Sequence, residues 1–458
     1  MITRRQFVRG AGATGALALG GSSLLAACTP PPPGGPTFDV PPGDGPNVLM
    51  ISVEGLNDYV GFLGGYPGDA HTPNIDALAA GGRAFLHAQS AAALSLPSRA
   101  ATMWSLSPAT TNITSTSVDD INRYHALVED ASKLTLPQVL ADDGYHTVNT
   151  GIVFESAIPS MWHTTHPYPE LYHVHQPVGP DRFAYGPMAP GETHPDQDTA
   201  DWISGRLTAT YDRPFFIAAG FFQPHVPWVV PQWAFDLHPL DDVALPPMPA
   251  DDLDDVPATG VELAEAPLFN YAAVVSAGTQ LQVLQAYLAA MSHTDAMVGQ
   301  ILNALASSPF ADDTHVVLWS DHGFHLGEKQ HYRKSTLWEP STRVPFVLSG
   351  PGIAPSQFER PVSLLDVAPT VVDLAGGVRP AGWQGESLLS ITAAGADARP
   401  ARTHQGGHVS VRWRTWRYIR YANGTDELYD VGTDPHEFTN LADDPSYAAV
   451  KAQLAAMI

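Results

Sequence analysis

The sequence is short of three things: cysteine, positive charge and long apolar runs. A single cysteine, Cys28, stands among 458 residues, so neither an internal disulfide framework nor a multi-thiolate metal site is available. Lysine and arginine number 23 against 47 aspartates and glutamates, giving a formal charge of −24. Nucleic acid is excluded as a partner, because nothing supplies the basic face that phosphate binding needs. An anionic substrate would need a local Arg/Lys cluster working against the global field. Beyond residue 27, no segment is apolar enough to span a bilayer.

What is present begins with an export signature. TRRQFVR precedes a Gly/Ala-rich apolar run from Ala11 to Ala27, and Arg4-Arg5 points to the twin-arginine route. The run is short and glycine-rich for a membrane span. LAAC, Leu25 to Cys28, resembles a lipoprotein processing box, so the expected product is a periplasmic or cell-surface lipoprotein with a lipid anchor at Cys28. Residues 29–45, TPPPPGGPTFDVPPGDG, read as a stiff Pro/Gly stalk without core-forming side chains. The expected divisions are a signal over 1–28, a linker over 29–45, a main domain over 46–398 and a C-terminal subdomain over 399–458.

The remainder is 44% hydrophobic over the whole sequence, enough for a large core. VLMISV, Val48 to Val53, is the continuous apolar run of a strand buried on both faces. TPNIDALAAGG then offers Thr72 as N-cap, Pro73 at the first helical position and Gly81 as the stop. The alternation recurs: LPQVLADDG leads into YHTVNTG, a long amphipathic segment from about Thr279 to Leu305 leads into THVVLWSDHG, and SLLDVAPTVVDLAGG follows. Such units predict an α/β fold, a large mostly parallel sheet flanked by helices. Past Pro400, VRWRTWRYIRY partly alternates and Asn423-Gly424 signals a hairpin before DELYDV, which predicts a small antiparallel-sheet subdomain closed by a terminal helix.

In an open α/β sheet, ligands gather at the carboxyl ends of strands. Three polar clusters fall there: VEGLND after the first strand, SLPSR before a helix, and SDHGFH after VVLW. Read alone, Ser95 of LSLPSRAAT is either a helix cap or a nucleophile. His225, between two prolines in QPHVP, is a rigidly placed loop histidine.

These clusters, taken in order with PNVLMISVEGLNDYVG, HTPNIDALAAGG, PFFIAAGFFQPHVPW, LWSDHGFHLGEKQHYRKSTLWEPSTRVP and ELYDVGTDPHEFTNLA, carry a resemblance over nearly the whole chain after the stalk. The sequence resembles the sulfatases of the alkaline-phosphatase-like superfamily, and looks closest to the iduronate-2-sulfatase-like branch. The family's Cys/Ser-x-Pro-Ser-Arg motif matches Ser95, Leu96, Pro97, Ser98 and Arg99. The resemblance implies that Ser95 is the precursor of a formylglycine nucleophile and that Arg99 pairs with its hydrate or with the sulfate. It implies that His225 is the acid and Lys334 the sulfate-binding, leaving-group lysine. It also implies a divalent, calcium-like ion, for which Glu54, Asp321 and His322 are the matching ligands. His325, Glu328, His331 and Arg343 fit the pattern as structural supports.

Several positions depart from the family's pattern. Gly55 stands where a second acidic metal ligand belongs, with Asp58 a distant reserve. Ile152 and Glu155 replace a lysine and a histidine that serve the nucleophile and the sulfate oxygens, and Met103-Trp104-Ser105 replaces Leu-Thr-Gly after the motif. The expected activity is hydrolysis of a sulfated glycan or small sulfate ester. The alternatives are a binding lipoprotein without turnover and a phosphate or phosphonate ester hydrolase using unmodified Ser95. The oligomeric state stays open.

Overall fold

The apolar run after the stalk forms β1, Asn47–Val53, with every residue buried. In the computed structural model, which describes residues 40–155, 158–168, 178–265, 271–392, 395, 397 and 399–458, β1 lies at the centre of the largest sheet. The export signature, Cys28 and most of the stalk lie outside the described residues. The other strands of this sheet are β2 (Arg83–Phe85), β3 (His146–Gly151), β4 (Thr164–Thr165), β5 (Phe215–Phe221), β6 (Thr314–Ser320), β7 (Phe346–Ser349) and β8 (Ser356–Phe358). Their order is β8-β2-β7-β6-β1-β5-β3-β4. Strands β6, β1, β5, β3 and β4 run parallel, whereas β7 is antiparallel to both neighbours.

Side-chain alternation along β1 builds two cores. Leu49, Ile51 and Val53 enter one face with Ile217 of β5 and Leu318 of β6, while Val48 and Met50 enter the other with Phe216 and Trp319. Residues buried on both faces explain why the run carries no polar alternation. The first face is covered by α1 (Pro73–Gly81), α3 (Pro195–Arg206) and the 27-residue α4 (Gln280–Ala306); the second by α2 (Ser95–Trp104) and α5 (Val367–Leu374). Each fully buried Leu, Ile, Val or Phe contributes about 1.5–3 kcal/mol. The expected α/β class holds.

One expected cap does not form. Thr72 precedes α1, but its hydroxyl accepts from the Gly61 amide at 2.9 Å and donates to Asp76 at 3.1 Å. The cap comes instead from Asp295 of α4, whose Oδ1 accepts the Asn74 and Ile75 amides at 3.1 and 2.8 Å. The helix also runs through Gly81, with Gly82 as its C-cap.

The chain ends in the expected antiparallel sheet, β9 (Ala401–Gln405), β10 (His408–Trp413), β11 (Trp416–Arg420) and β12 (Asp426–Asp430), with α6 (Ala448–Ala455) packed on it. VRWRTWRYIRY is two strands, broken at Arg414 with φ +54°. The fully buried Arg417 of β11 ties this sheet to the rest, donating to Glu339 at 2.7 Å, the Leu337 carbonyl at 2.8 Å and Gln89 at 3.0 Å.

Candidate active site

Parallel register decides where the chemistry gathers. Val53, the last residue of β1, pairs with Phe221 on one side and Ser320 on the other, so Glu54, Phe222 and Asp321 leave the sheet side by side. Helix α2 begins above these ends. Its N-cap is Leu94, and Ser95 is the first helical residue rather than the cap.

The Ser95 hydroxyl meets three side chains. Lys334 Nζ donates to its Oγ at 2.9 Å, His322 Nε2 lies at 3.0 Å, and Glu54 Oε1 accepts from it at 3.1 Å. Lys334 Nζ is also 3.1 Å from His322 Nε2 and 3.9 Å from Glu54 Oε1. The loop carrying Lys334 is held by the short antiparallel pair His325–Leu326 with Tyr332–Arg333 and by the Ser335 amide, which donates to the Ala93 carbonyl at 3.0 Å. Ser95 is 3% exposed and His322 is fully buried. Because His322 Nδ1 sits 2.9 Å from the Gly323 carbonyl, Nδ1 carries the proton and Nε2 turns its lone pair to Ser95 and Lys334.

Arg99 and Asp321 form a second, fully buried pair beneath this cluster. Arg99 Nε donates to Asp321 Oδ2 at 2.9 Å, and Asp321 Oδ1 accepts the amides of Gly55 and His322 at 2.9 and 3.0 Å. Arg99 Nη1 donates to the carbonyls of Ile152 and Val153, and Nη2 is buried without a hydrogen-bond partner among the described residues. The arginine expected to face the hydrate thus pairs with the carboxylate.

His225 lies across Glu54, with Nε2 at 3.6 Å from Glu54 Oε1 and Nδ1 at 2.7 Å from the Val226 carbonyl. Its turn is anchored by Asp196 of α3, which accepts the Phe222 and Gln223 amides, each at 2.9 Å. Sequence reasoning missed Asp196. Its only signal was an acid in the first turn of a helix, which reads equally well as a dipole partner.

At the two carboxylates, Glu54 and Asp321, charge and burial oppose each other. Burial raises the Glu54 carboxyl, but His225, Lys334 and Arg99 more than reverse this and leave it below its ordinary value. Asp321 is likewise raised by burial, yet Arg99, His322 and Lys334 bring it down to about 2. Burial, with Lys334, pushes His225 down to about 4. Lys334 itself is lowered, by burial first. Glu155 is exposed at the rim, where solvent blunts the effect of burial, and the charge of Glu54 keeps its carboxyl above the ordinary value.

Asp58 stays out of the site. It is held by Arg343 Nη1 at 3.0 Å. Gly55 has φ +73°, a conformation that favours glycine. Its carbonyl accepts from the Tyr287 hydroxyl at 3.0 Å.

Comparison with known proteins identifies the family. The Sulfatase family model matches residues 46–378, and a model for the C-terminal part of N-sulphoglucosamine sulphohydrolase matches residues 327–458. The chain belongs to the sulfatase family. A sulfatase of Formosa agariphila is 33% identical over 441 residues, 91% of this chain and 86% of that one. Human iduronate 2-sulfatase is 28% identical over 346 residues, covering 68% of this chain and 60% of its own. In fold, the phosphonate monoester hydrolase of Agrobacterium radiobacter superposes with a TM-score of 0.74 at 21% identity, over 90% of this chain and 94% of that one. Family and relatives make this sulfatase a sulfuric ester hydrolase.

Sulfatases generally use a divalent metal, but the expected ligands of this chain fit one poorly. A calcium-like ion takes six to eight oxygens, whereas here Gly55 offers no carboxylate and both oxygens of Asp321 are already engaged. The lone pair of His322 Nε2 faces the Lys334 ammonium. Two like unit charges 4 Å apart repel by about 4 kcal/mol at an effective dielectric near 20, and a divalent ion doubles that. Among the described residues, one group of three His/Asp side chains does bring its ligand atoms within 4.8 Å of one another: His194, Asp196 and His293.

Proposed function

We propose that this sulfatase hydrolyses a sulfated sugar at Ser95, with Lys334 and His225 acting on the two sides of the sulfur. The observation that carries the reading is the convergence of Lys334, His322 and Glu54 on the Ser95 hydroxyl at the start of α2. The positive dipole end of that helix favours an anion beside the same oxygen.

Lys334 places its charge beside the bound sulfate and offsets charge that grows on the sulfate oxygens during attack. Glu54, within hydrogen-bond reach of Oγ, takes the nucleophile's proton. His225 presents Nε2 to the pocket, the edge from which a leaving alkoxide receives its proton; the negative charge of a bound sulfate ester raises its affinity for that proton. Two-electron oxidation of Ser95 to formylglycine by a separate radical maturation enzyme, followed by addition of water, supplies a hydrate with two hydroxyls, one to attack sulfur and one to expel sulfate. An unmodified serine, with one hydroxyl, leaves a sulfated side chain that only water can release.

A sugar sulfate is favoured over a simple aryl ester by the relative named for iduronate. The export signature supports a lipoprotein outside the cytoplasm. The test is turnover of 4-nitrophenyl sulfate beside 4-nitrophenyl phosphate, with Ser95→Ala as control and the mass of the Ser95 peptide from the native host. Loss of two hydrogens with sulfate turnover abolished by Ser95→Ala is the expected result. An unmodified serine with phosphate turnover only would move the assignment to a phosphate or phosphonate ester hydrolase.

A further inference from the structure

Three acceptors at this site converge on a cation that the chain itself supplies. Lys334 Nζ lies 2.9 Å from Ser95 Oγ, 3.1 Å from His322 Nε2 and 3.9 Å from Glu54 Oε1. These are the nucleophile oxygen, an imidazole lone pair and a carboxylate. The second carboxylate, Asp321, is neutralised by Arg99 at 2.9 Å and by two backbone amides. The position that would add a further acid is Gly55, where a Cβ would meet His322 Cε1 at 3.5 Å. Each group that a divalent ion would neutralise already has a positive or N–H partner.

We propose that the Lys334 ammonium is the resident cation of this site, and that the protein carries no divalent ion among Glu54, Asp321 and His322. An ammonium gives three directed donors and one charge, which matches one free carboxylate, one imidazole and one hydroxyl. A divalent ion inserted there would leave an excess of positive charge beside Arg99 and Lys334. With no acid at Gly55, the charge of the Lys334 ammonium is what offsets Glu54. Glu54, one carbon longer than aspartate, spans from the end of β1 to reach both Ser95 and the ammonium.

The consequence for turnover rests on the sulfatase reading above, whereas occupancy does not, so the two are measured separately. Elemental analysis of the full chain, dialysed against calcium, magnesium, manganese and zinc, is expected to find no ion dependent on Glu54. Calcium and EGTA should leave the thermal midpoint unchanged. An ion retained by Glu54→Gln but lost in His293→Ala sits at His194, Asp196 and His293 and leaves the proposal standing. One ion per chain in the wild type, lost in Glu54→Gln or His322→Ala, overturns it.

A double-mutant cycle reads the ammonium directly. Lys334→Met should lower the thermal midpoint by stranding Glu54, and adding Glu54→Gln should restore part of the loss. Additive losses would overturn the pairing. If the metal result holds and no sulfate ester is turned over, the reaction assigned above fails while the resident-cation assignment survives.

Discussion

Lys334 Nζ donates to Ser95 Oγ across 239 residues of sequence, at 2.9 Å. The bond places a positive charge beside the oxygen proposed as the nucleophile, in a buried site. Preorganised charge of this kind is worth about 10²- to 10³-fold in kcat when one donor is removed. Lys334→Ala is therefore expected to lower kcat for 4-nitrophenyl sulfate by that factor, with far-UV circular dichroism unchanged. A fall in kcat/KM carried by KM alone would limit the lysine to ground-state binding.

Glu155 is expected to act on the alkaline side of the reaction. Its carboxyl is pushed up to about 7, so it is neutral below that pH and anionic above it. An anion at the rim repels a sulfate ester, and kcat/KM should decline as pH rises through about 7. Glu155→Gln should flatten that decline and raise kcat/KM at pH 8 relative to the wild type. Equal pH profiles for the two proteins would remove Glu155 from substrate approach.

The turn that carries His225 depends on Asp196. This carboxylate accepts two backbone amides, Phe222 and Gln223, just ahead of the histidine, and hydrogen bonds to charged groups contribute about 1.5–3 kcal/mol each. Asp196→Ala should lower kcat while leaving Ser95 and Lys334 in place, because the histidine alone loses its seating. The signature is a selective loss on poor leaving groups: alkyl sulfates should suffer more than 4-nitrophenyl sulfate, which needs little protonation. Equal losses on both substrates would assign Asp196 to general stability.

Much of this molecule was legible because its signals are local. The run Val48–Val53 gave a strand without ambiguity, and α4 could be read from its periodicity to within a residue or two. The cap of α1 could not be read, since Asp295 arrives from 221 residues away and displaces the cap that Thr72 advertised. Ser95 posed the same difficulty in sharper form. A serine before a helix looks identical as a cap or as a nucleophile until Lys334, His322 and Glu54 are brought to it by the sheet. The Arg99–Asp321 pair, 222 residues apart, changed the expected target of the arginine for the same reason. Resemblance identified which residues meet, and only geometry showed which of them neutralise one another.

Arg417 closes the C-terminal sheet onto the main sheet's periphery with a buried network. It donates to Glu339 at 2.7 Å and forms an ion pair with Glu437 at 2.6 Å, with all three side chains nearly inaccessible. Breaking a buried pair from one side costs about 3–5 kcal/mol, because a charge stays behind without a partner. Arg417→Met should show that loss in urea unfolding, and replacing Glu437 by glutamine in the same chain should recover part of it, because Glu339 keeps Arg412 at 2.6 Å. A loss below 1 kcal/mol would mean that water enters the network.

His404 gives the acid limb of stability a definite sign. Burial, followed by the charge of Arg402, pushes it down to about 4 in the folded protein, against about 6.5 in the unfolded chain. Above about pH 6.5 both states leave it neutral, and it has no influence. Between about 6.5 and 4 the unfolded chain takes up a proton that the folded chain refuses, so stability is lost as pH falls. Buried acids such as Glu328 and Glu437, each pushed up to about 7 with burial as the first cause, act in the opposite sense in the same range. The wild-type curve alone therefore cannot isolate the histidine, but a difference can. The thermal midpoint of His404→Gln minus that of the wild type should be constant from pH 8 to 7 and grow more positive down to pH 4. A difference independent of pH would show that His404 is protonated in the folded state as readily as in the unfolded one.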